Sequence, residues 1–204
     1  MINIINPGCG NVISVRNWAL KTEKKTKIIS NPEDFEPGTI VIPGVASSYY
    51  MMLNLMEKNF IELLFLQKKS GDKIIGICAG FQVMGKSTTE DDGCNCLGFI
   101  DAYTERLHDL NKKNISQSGW MDVNIKINKE SILSRHYKRK KVLSGEAYFN
   151  HRYGMKINSK KIDSEYNFDC NGYITHYFNE NIYGFQFHPE KSLEFGRSLL
   201  KVLI

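Results

Sequence analysis

Several features that mark membrane, secreted and nucleic-acid-binding proteins are missing from this 204-residue chain. No apolar run approaches the roughly 20 residues of a membrane-crossing helix. The opening MINIIN is too short for a secretory h-region before it meets PGCGN, so no leader is expected. The five cysteines, at 9, 78, 94, 96 and 170, are odd in number and irregularly spaced. That disfavours a disulfide framework and points to a reducing cytoplasm. Cys94-x-Cys96 with His108 lacks a second Cys-x₂-Cys pair, so no metal site is expected. The Gly-rich turn around Cys9 fits neither G-x-G-x-x-G nor the P-loop, and no cofactor is expected. A formal net charge of +5 allows an anionic ligand but is not the basic stripe of a nucleic-acid binder. There is no internal repeat and no linker.

What is present is ordinary globular chemistry, 42% hydrophobic and 24% charged. The length suits one domain over residues 1–204 with a well-buried core. INII at 2–5, TKIIS at 26–30, TIVIP at 39–43 and KIIGIC at 73–78 read as short apolar strands. Helical spacing falls between them, over 11–21, 48–56 and 58–69, with another helix expected over 79–87. Apolar strands alternating with helices predict an α/β fold whose mostly parallel central sheet is covered by helices on both faces. The second half has alternating strands near 98–107, 121–127, 145–149, 173–178 and 182–187. The last two are joined by NENI as a hairpin, so a smaller antiparallel β region is expected. The end, KSLEFGRSLLKVLI, reads as an amphipathic helix with Leu193, Leu199, Leu200 and Leu203 inward. The basic run RHYKRKK at 135–141 is read as a solvated loop, with contact to an acidic partner as the alternative.

The chemistry concentrates in GICAGFQ, residues 76–82. A strand ending in Gly-x-Cys-x-Gly and opening a helix has the form of a nucleophile elbow. Gly76 and Gly80 remove side chains that would meet neighbouring backbone. Cys78 then stands at a helix N-terminus, where free N–H groups favour a thiolate. A cysteine nucleophile needs a base, and the base an orienter. Of the five histidines, His188 in FQFHPEKS follows an apolar strand, and Glu190 two residues later can hold its ring. An oxyanion hole would take the N–H of Ala79. IPGVASS at 42–48 offers a second N–H near Val45; the same stretch reads equally as a strand-to-helix turn capped by Ser47 or Ser48. His151 reads as a core or substrate-adjacent residue rather than a base, and His176 as structural.

With both motifs in one chain, the sequence resembles the class I glutamine amidotransferases over nearly its whole length. The resemblance implies a Cys78-His188-Glu190 triad that hydrolyses the side-chain amide of glutamine. It implies that Gln82, Glu90 and Gly44 bind that substrate, with Val45 and Ala79 at the oxyanion hole. Within the family, GCGNVISV (8–15), IPGVASS, CNCLGFID (94–101), SGWMDV (118–123) and YFNHRY (148–153) resemble, in order, stretches of the glutaminase subunits of imidazole glycerol phosphate synthase. There are departures. Asn6-Pro7-Gly8 replaces Asp-Tyr-Gly, and Ala46 replaces a glycine. Residues 117–121 read Gln-Ser-Gly-Trp-Met where His-Met-Gly-Trp-Asn is usual, and Arg152 replaces a hydroxyl residue.

A chain of this length is expected to be used up by the glutaminase, leaving no room for an ammonia acceptor. The expectation is therefore a heterodimer with a HisF-like cyclase subunit, the pair serving histidine biosynthesis. Asn11, Gly119 and Trp120 are the expected interface residues; for Trp120 core packing is the equal alternative. Two further readings use the same sequence. One is a subunit supplying ammonia for amidino sugars of surface polysaccharides. The other is a docking subunit whose active site is spent.

Overall fold

The computed structural model describes residues 1–127, 132–138, 141–158 and 165–203. Its first half alternates strands and helices: β1 (Ile2–Ile5), α1 (Val12–Ala19), β2 (Thr26–Ile29), β3 (Thr39–Ile42), α2 (Ser48–Glu57), α3 (Phe60–Ser70), β4 (Ile74–Ile77) and the short α4 (Ala79–Gln82). Strands follow: β5 (Ser87–Thr88), β6 (Cys94–Asn95), β7 (Ala102–Arg106) and β8 (Gln117–Lys126). After α5 (Ile132–His136) come β9 (Val142–His151), β10 (Tyr153–Ile157), β11 (Glu165–Phe168), β12 (Ile174–Asn179) and β13 (Ile182–Phe185), and α6 (Leu193–Leu203) ends the fold.

Seven strands form the central sheet in the order β11-β12-β13-β4-β3-β1-β2. The run from β13 to β2 is parallel, and β12 and β11 extend it antiparallel. β12 and β13 form the expected hairpin, with Glu180 of NENI at φ 49° in the turn. A four-stranded sheet, β10-β7-β5-β6, and the β8-β9 ribbon lie beside it. The expected mostly parallel α/β fold with a smaller antiparallel region is what forms.

β1, β3 and β4 are apolar throughout apart from Asn3, Thr39 and Gly76, because both faces of the sheet are covered. Ile2, Ile4, Val41, Ile75 and Ile77 face a core closed by Val15 and Trp18 of α1, by Leu199, Leu200 and Leu203 of α6, and by the ribbon. Ile5, Ile40, Ile42 and Ile74 face the other way, onto Met51 and Leu55 of α2 and Phe60 and Leu64 of α3. This is the period-two alternation of a strand. Trp18 Nε1 donates to the Gly196 carbonyl at 3.0 Å, tying α1 to α6.

Four expectations need correction. The helix expected over 79–87 stops at Gln82, because residues 87–88 pair with β7 and β6 instead. Leu193 does not face the core; it is 70% exposed at φ 44°, at the turn into α6. The basic run begins inside α5, since 132–136 is helical, and Tyr137 anchors it by donating to the Ser198 carbonyl at 3.0 Å. Residues 139 and 140 of that run lie outside the described residues. Trp120 is not a core residue; it is 47% exposed, with its ring edge-on to Tyr148.

The close approach of α4 to the sheet rests on two glycines. Gly76 of β4 and Gly184 of β13 are register partners, side by side. A Cβ on Gly76 would lie 2.6 Å from the Gly80 carbonyl oxygen, and one on Gly184 would lie 1.9 Å from the Phe81 ring. Together they form a slot for the helix that follows Cys78. Gly184→Ala is expected to destabilise the protein by about 1–3 kcal/mol through overpacking. Urea unfolding would measure this, and an unchanged midpoint would show that Phe81 can move aside.

Candidate active site

Cys78 terminates β4 and caps α4 with φ 52° and ψ −112°, a conformation that a non-glycine residue adopts only under constraint. The constraint is visible on both sides of the residue. A Cβ on Gly80 would meet the Ile42 carbonyl oxygen at 2.0 Å, and one on Gly44 would meet the Gly80 amide nitrogen at 2.4 Å. The 43–47 loop therefore packs directly on the elbow, and bare backbone is required at both contacts. Ala79 is the first residue of α4, so its N–H has no partner within the helix.

β13 runs parallel to β4, and its continuation carries His188 to the same sheet edge. The His188 amide donates to the Tyr148 carbonyl at 2.8 Å. Ser192 Oγ donates to the His188 carbonyl at 2.6 Å and accepts from the Tyr148 amide at 3.0 Å. The backbone around the ring is thus held from two directions. Pro189 opens a 3₁₀ turn, Pro189–Lys191, that swings Glu190 back under the ring. Glu190 Oε1 lies 2.8 Å from His188 Nδ1. A carboxylate accepts, so Nδ1 carries a proton and Nε2 is the nitrogen left for Cys78.

His188 is 1% exposed. Burial works against its charged form, but hydrogen bonds to Cys78 and Glu190 outweigh that and raise its pKa to about 10. An imidazolium beside a cysteine is the pairing that keeps sulfur nucleophilic.

A cavity of about 460 Å³ opens over Cys78 and reaches Gln82, Glu90, Gln117, His151 and Arg152. Glu90 accepts from the Ser48 amide at 2.7 Å and the Ser48 hydroxyl at 2.9 Å, so its carboxylate sits at the N-terminus of α2. Burial nonetheless raises its pKa. Ser47 is the N-cap of α2, with its oxygen accepting from the Tyr50 amide at 3.2 Å. Val45 and Ala46 line the cavity from the loop, and Ala46 keeps a negative φ.

His151 Nδ1 lies 2.7 Å from the Tyr153 carbonyl, which only accepts, so Nδ1 is protonated. Burial lowers the ring's pKa to about 4. It is a neutral wall of the cavity, next to the space a substrate would fill.

The sequence missed two contacts. Gln186 Nε2 donates to Cys78 Sγ at 3.8 Å, and its Oε1 accepts from Gln82 Nε2 at 3.1 Å. The available signal was period two, which puts Gln186 on the same side as His188. Asn11, expected at a partner interface, donates through Nδ2 to Glu190 Oε1 and so joins the triad network. Gly119 sits at φ 117° beside Trp120 on the exposed part of β8. The Cys94–Cys96 pair gathers no ligand set, and among the described residues no group of three metal-ligating side chains occurs.

A family model for class I glutamine amidotransferases matches residues 8–202, and the chain belongs to that family. Its relatives include the imidazole glycerol phosphate synthase subunit HisH 2 of Methanococcus maripaludis, 34% identical over 100% of this chain and 98% of that protein. The HisH subunit of Blochmanniella floridana is 31% identical, over 98% of this chain and 96% of its own length. Among solved structures, a glutamine amidotransferase crystal structure superposes with a TM-score of 0.71 at 15% identity, covering 99% of this chain and 96% of that one. PurLQS from Thermotoga maritima superposes with a TM-score of 0.70 at 18% identity, covering 99% and 96%. These two share the fold.

The buried histidines contribute to the pH response of stability. His151 and His176, with folded pKa values of about 4 and about 3, titrate below the ordinary histidine value of 6.5. The unfolded chain therefore binds more protons over that window. Their contribution is complete above about pH 6.5 and is lost as pH falls through about 4 and then 3. His188 has the opposite sign. Its contribution is complete below about pH 6.5 and is lost as pH rises through about 10. Urea midpoints are expected to fall from pH 7 to pH 4, and His176→Gln is expected to narrow that fall; an equal fall in the variant would remove His176 from the account.

Proposed function

We propose that this chain is the glutaminase subunit of an imidazole glycerol phosphate synthase. It hydrolyses L-glutamine to glutamate and ammonia and passes the ammonia to a cyclase subunit of the HisF kind. The observation that carries the reading is the Cys78-His188-Glu190 constellation on a strained elbow, opening onto a cavity of about 460 Å³. Family membership and the full-length likeness to HisH subunits support it.

Cys78 Sγ attacks the side-chain amide carbon of glutamine. The oxyanion is met by the Ala79 N–H and by a backbone N–H near Val45. His188 then gives its proton to the departing nitrogen, the C–N bond breaks, and ammonia leaves a thioester on Cys78. Deprotonated His188 takes a proton from water, whose oxygen attacks the thioester. The C–S bond breaks, glutamate leaves, and the thiolate–imidazolium pair is restored. Glu190 holds the ring in one tautomer throughout, and Glu90 supplies the negative charge that suits the substrate's ammonium.

Free ammonia is mostly protonated at neutral pH and useless as a nucleophile in that form, which favours a sealed contact with the acceptor subunit. The exposed Trp120 and the half-buried Tyr148 beside it, with Lys191 over the Tyr148 ring at 5.2 Å, are the surface we assign to that contact. The backbone of Tyr148 holds His188, so the same residue touches both surface and triad. A spent docking subunit is not supported, because each element of the triad has its partner. All five cysteines are free, in keeping with a cytoplasmic enzyme. No helix among the described residues is long and apolar enough to cross a membrane.

Cys78→Ala is expected to lower glutamine-dependent ammonia release by on the order of 10³-fold or more, measured with the cyclase subunit present. Ammonia release unchanged by that substitution would overturn the reading. Transfer of the nitrogen to a sugar acceptor, and not to the imidazole precursor, would redirect it to surface-polysaccharide synthesis.

Trp120→Ala is expected to weaken association with the cyclase by at least about 1 kcal/mol, read by calorimetric titration. Unchanged affinity would move the interface elsewhere.

A further inference from the structure

Gln186 has no part in the steps above, yet its side chain touches the reacting sulfur. Its Nε2 lies 3.8 Å from Cys78 Sγ. The residue is 1% exposed and is not among those lining the cavity over Cys78, so its polar end faces the sulfur and not a substrate. Strand register fixes both partners. The Gln186 amide donates to the Thr175 carbonyl at 2.9 Å, and the Cys78 amide donates to the Phe185 carbonyl at 2.7 Å. The two side chains therefore meet where β4 and the continuation of β13 run side by side.

The direction of the Gln186 amide follows from a chain of contacts. The Tyr153 carbonyl can only accept, so the end of Gln82 that lies 2.8 Å from it is the N–H₂ group. That nitrogen has a second hydrogen, which points to Gln186 Oε1 at 3.1 Å. With its oxygen held there, Gln186 turns its own N–H₂ group toward Sγ. The reverse orientation would set two N–H₂ groups against each other and leave the sulfur facing a carbonyl oxygen. A backbone carbonyl of β10 thus decides, through two glutamines, that Cys78 faces a donor.

We infer that Gln186 is a further catalytic residue, whose N–H₂ group holds the charged sulfur of Cys78 in place while Gln82 fixes the direction of that group. This rests on the glutaminase reading above. Cys78 is buried, and a buried anion needs donors in place of water. His188 supplies one, but it has to give its proton to the departing nitrogen. The Ala79 N–H is directed to the oxyanion. Gln186 donates a hydrogen that no step removes. The sulfur is charged twice in each cycle, before it attacks the amide carbon and again as the C–S bond of the thioester breaks, and the same contact serves both times. Residues 186 and 188 share one side of an extended stretch, so the donor that keeps its proton stands beside the donor that transfers it.

The test uses the complex with the cyclase subunit. It reads the ultraviolet absorbance of the Cys78 thiolate, each protein being measured against its own Cys78→Ala counterpart. Gln186→Met keeps the length of the side chain and removes the donor. Gln186→Asn keeps an amide but is one methylene short of the sulfur. Both are expected to lose about half or more of the thiolate signal at neutral pH and to lower kcat for L-glutamine by about 10-fold, with KM within about 2-fold. If Gln186→Met does not fold, Gln186→Asn decides alone. A signal absent from wild type, or unchanged in both variants, overturns the inference whatever happens to kcat. So does a loss in Gln186→Met that Gln186→Asn restores in full, since that reports the polarity of the site and not the contact. A rise in KM alone also overturns it, because that marks a substrate contact. A wild-type complex that shows the signal, loses it in both variants and yet releases no ammonia from glutamine overturns the glutaminase reading and leaves the sulfur contact standing.

Discussion

Everything in the site depends on one steric constraint: three stretches of backbone meet with no side chain between them. Gly76 and Gly184 leave the sheet bare where α4 crosses it. Gly80 lies against the Ile42 carbonyl, and Gly44 lies against the Gly80 amide. Cys78 is held between these contacts at φ 52°. An isolated cysteine would relax out of that conformation; here the surrounding packing over-determines it. The consequence is positional. The sulfur stands clear of its own strand at the start of a helix, and β13, hydrogen-bonded beside β4, delivers His188 to the same edge.

Charge is arranged around that sulfur in layers. His188 is buried yet held in its charged form, because Glu190 and Cys78 offset the cost of removing it from water. Glu190 is in turn bound by Asn11, from the turn that opens α1. Ser192 and Tyr148 fix the backbone on which the ring is mounted. On the cavity's other wall, Glu90 is kept at a helix N-terminus by Ser48. His151 is kept neutral by burial, so it adds no second positive charge beside His188. Removing any one of these supports leaves a buried polar group without its partner, which is why the network is dense.

Much of this was legible in the residues. Short apolar strands alternating with helices announced a covered parallel sheet, because a strand buried on both faces admits a polar side chain, such as Asn3, only where it is hydrogen-bonded. GICAG announced the elbow, because only glycine tolerates those contacts. His188 and Glu190 were legible as a pair because a proline-directed turn joins residues two apart. The misreadings have physical causes as well. The helix after Cys78 was drawn too long because nothing local in GKST signals that Ser87 and Thr88 pair with β7 and β6. Leu193 was placed inward by helical period, but it precedes the first full turn of α6, where the backbone is still at positive φ. The contact of Asn11 with Glu190 was not legible, because the two residues lie 179 positions apart.

The sequence by itself determined what is written within a few residues: the strained elbow, the histidine with its acid, and the alternation that selects an α/β sheet. Those follow from local sterics and periodicity. The tertiary structure alone decided which distant side chains complete the site. Gln186 reaches Cys78 across a separation of 108 residues, Gln82 meets Gln186 across 104, and Glu90 caps a helix that begins 42 residues earlier. Such contacts depend on strand register and on how closely two layers pack. Both are set by the whole core together, so no single stretch of chain encodes them.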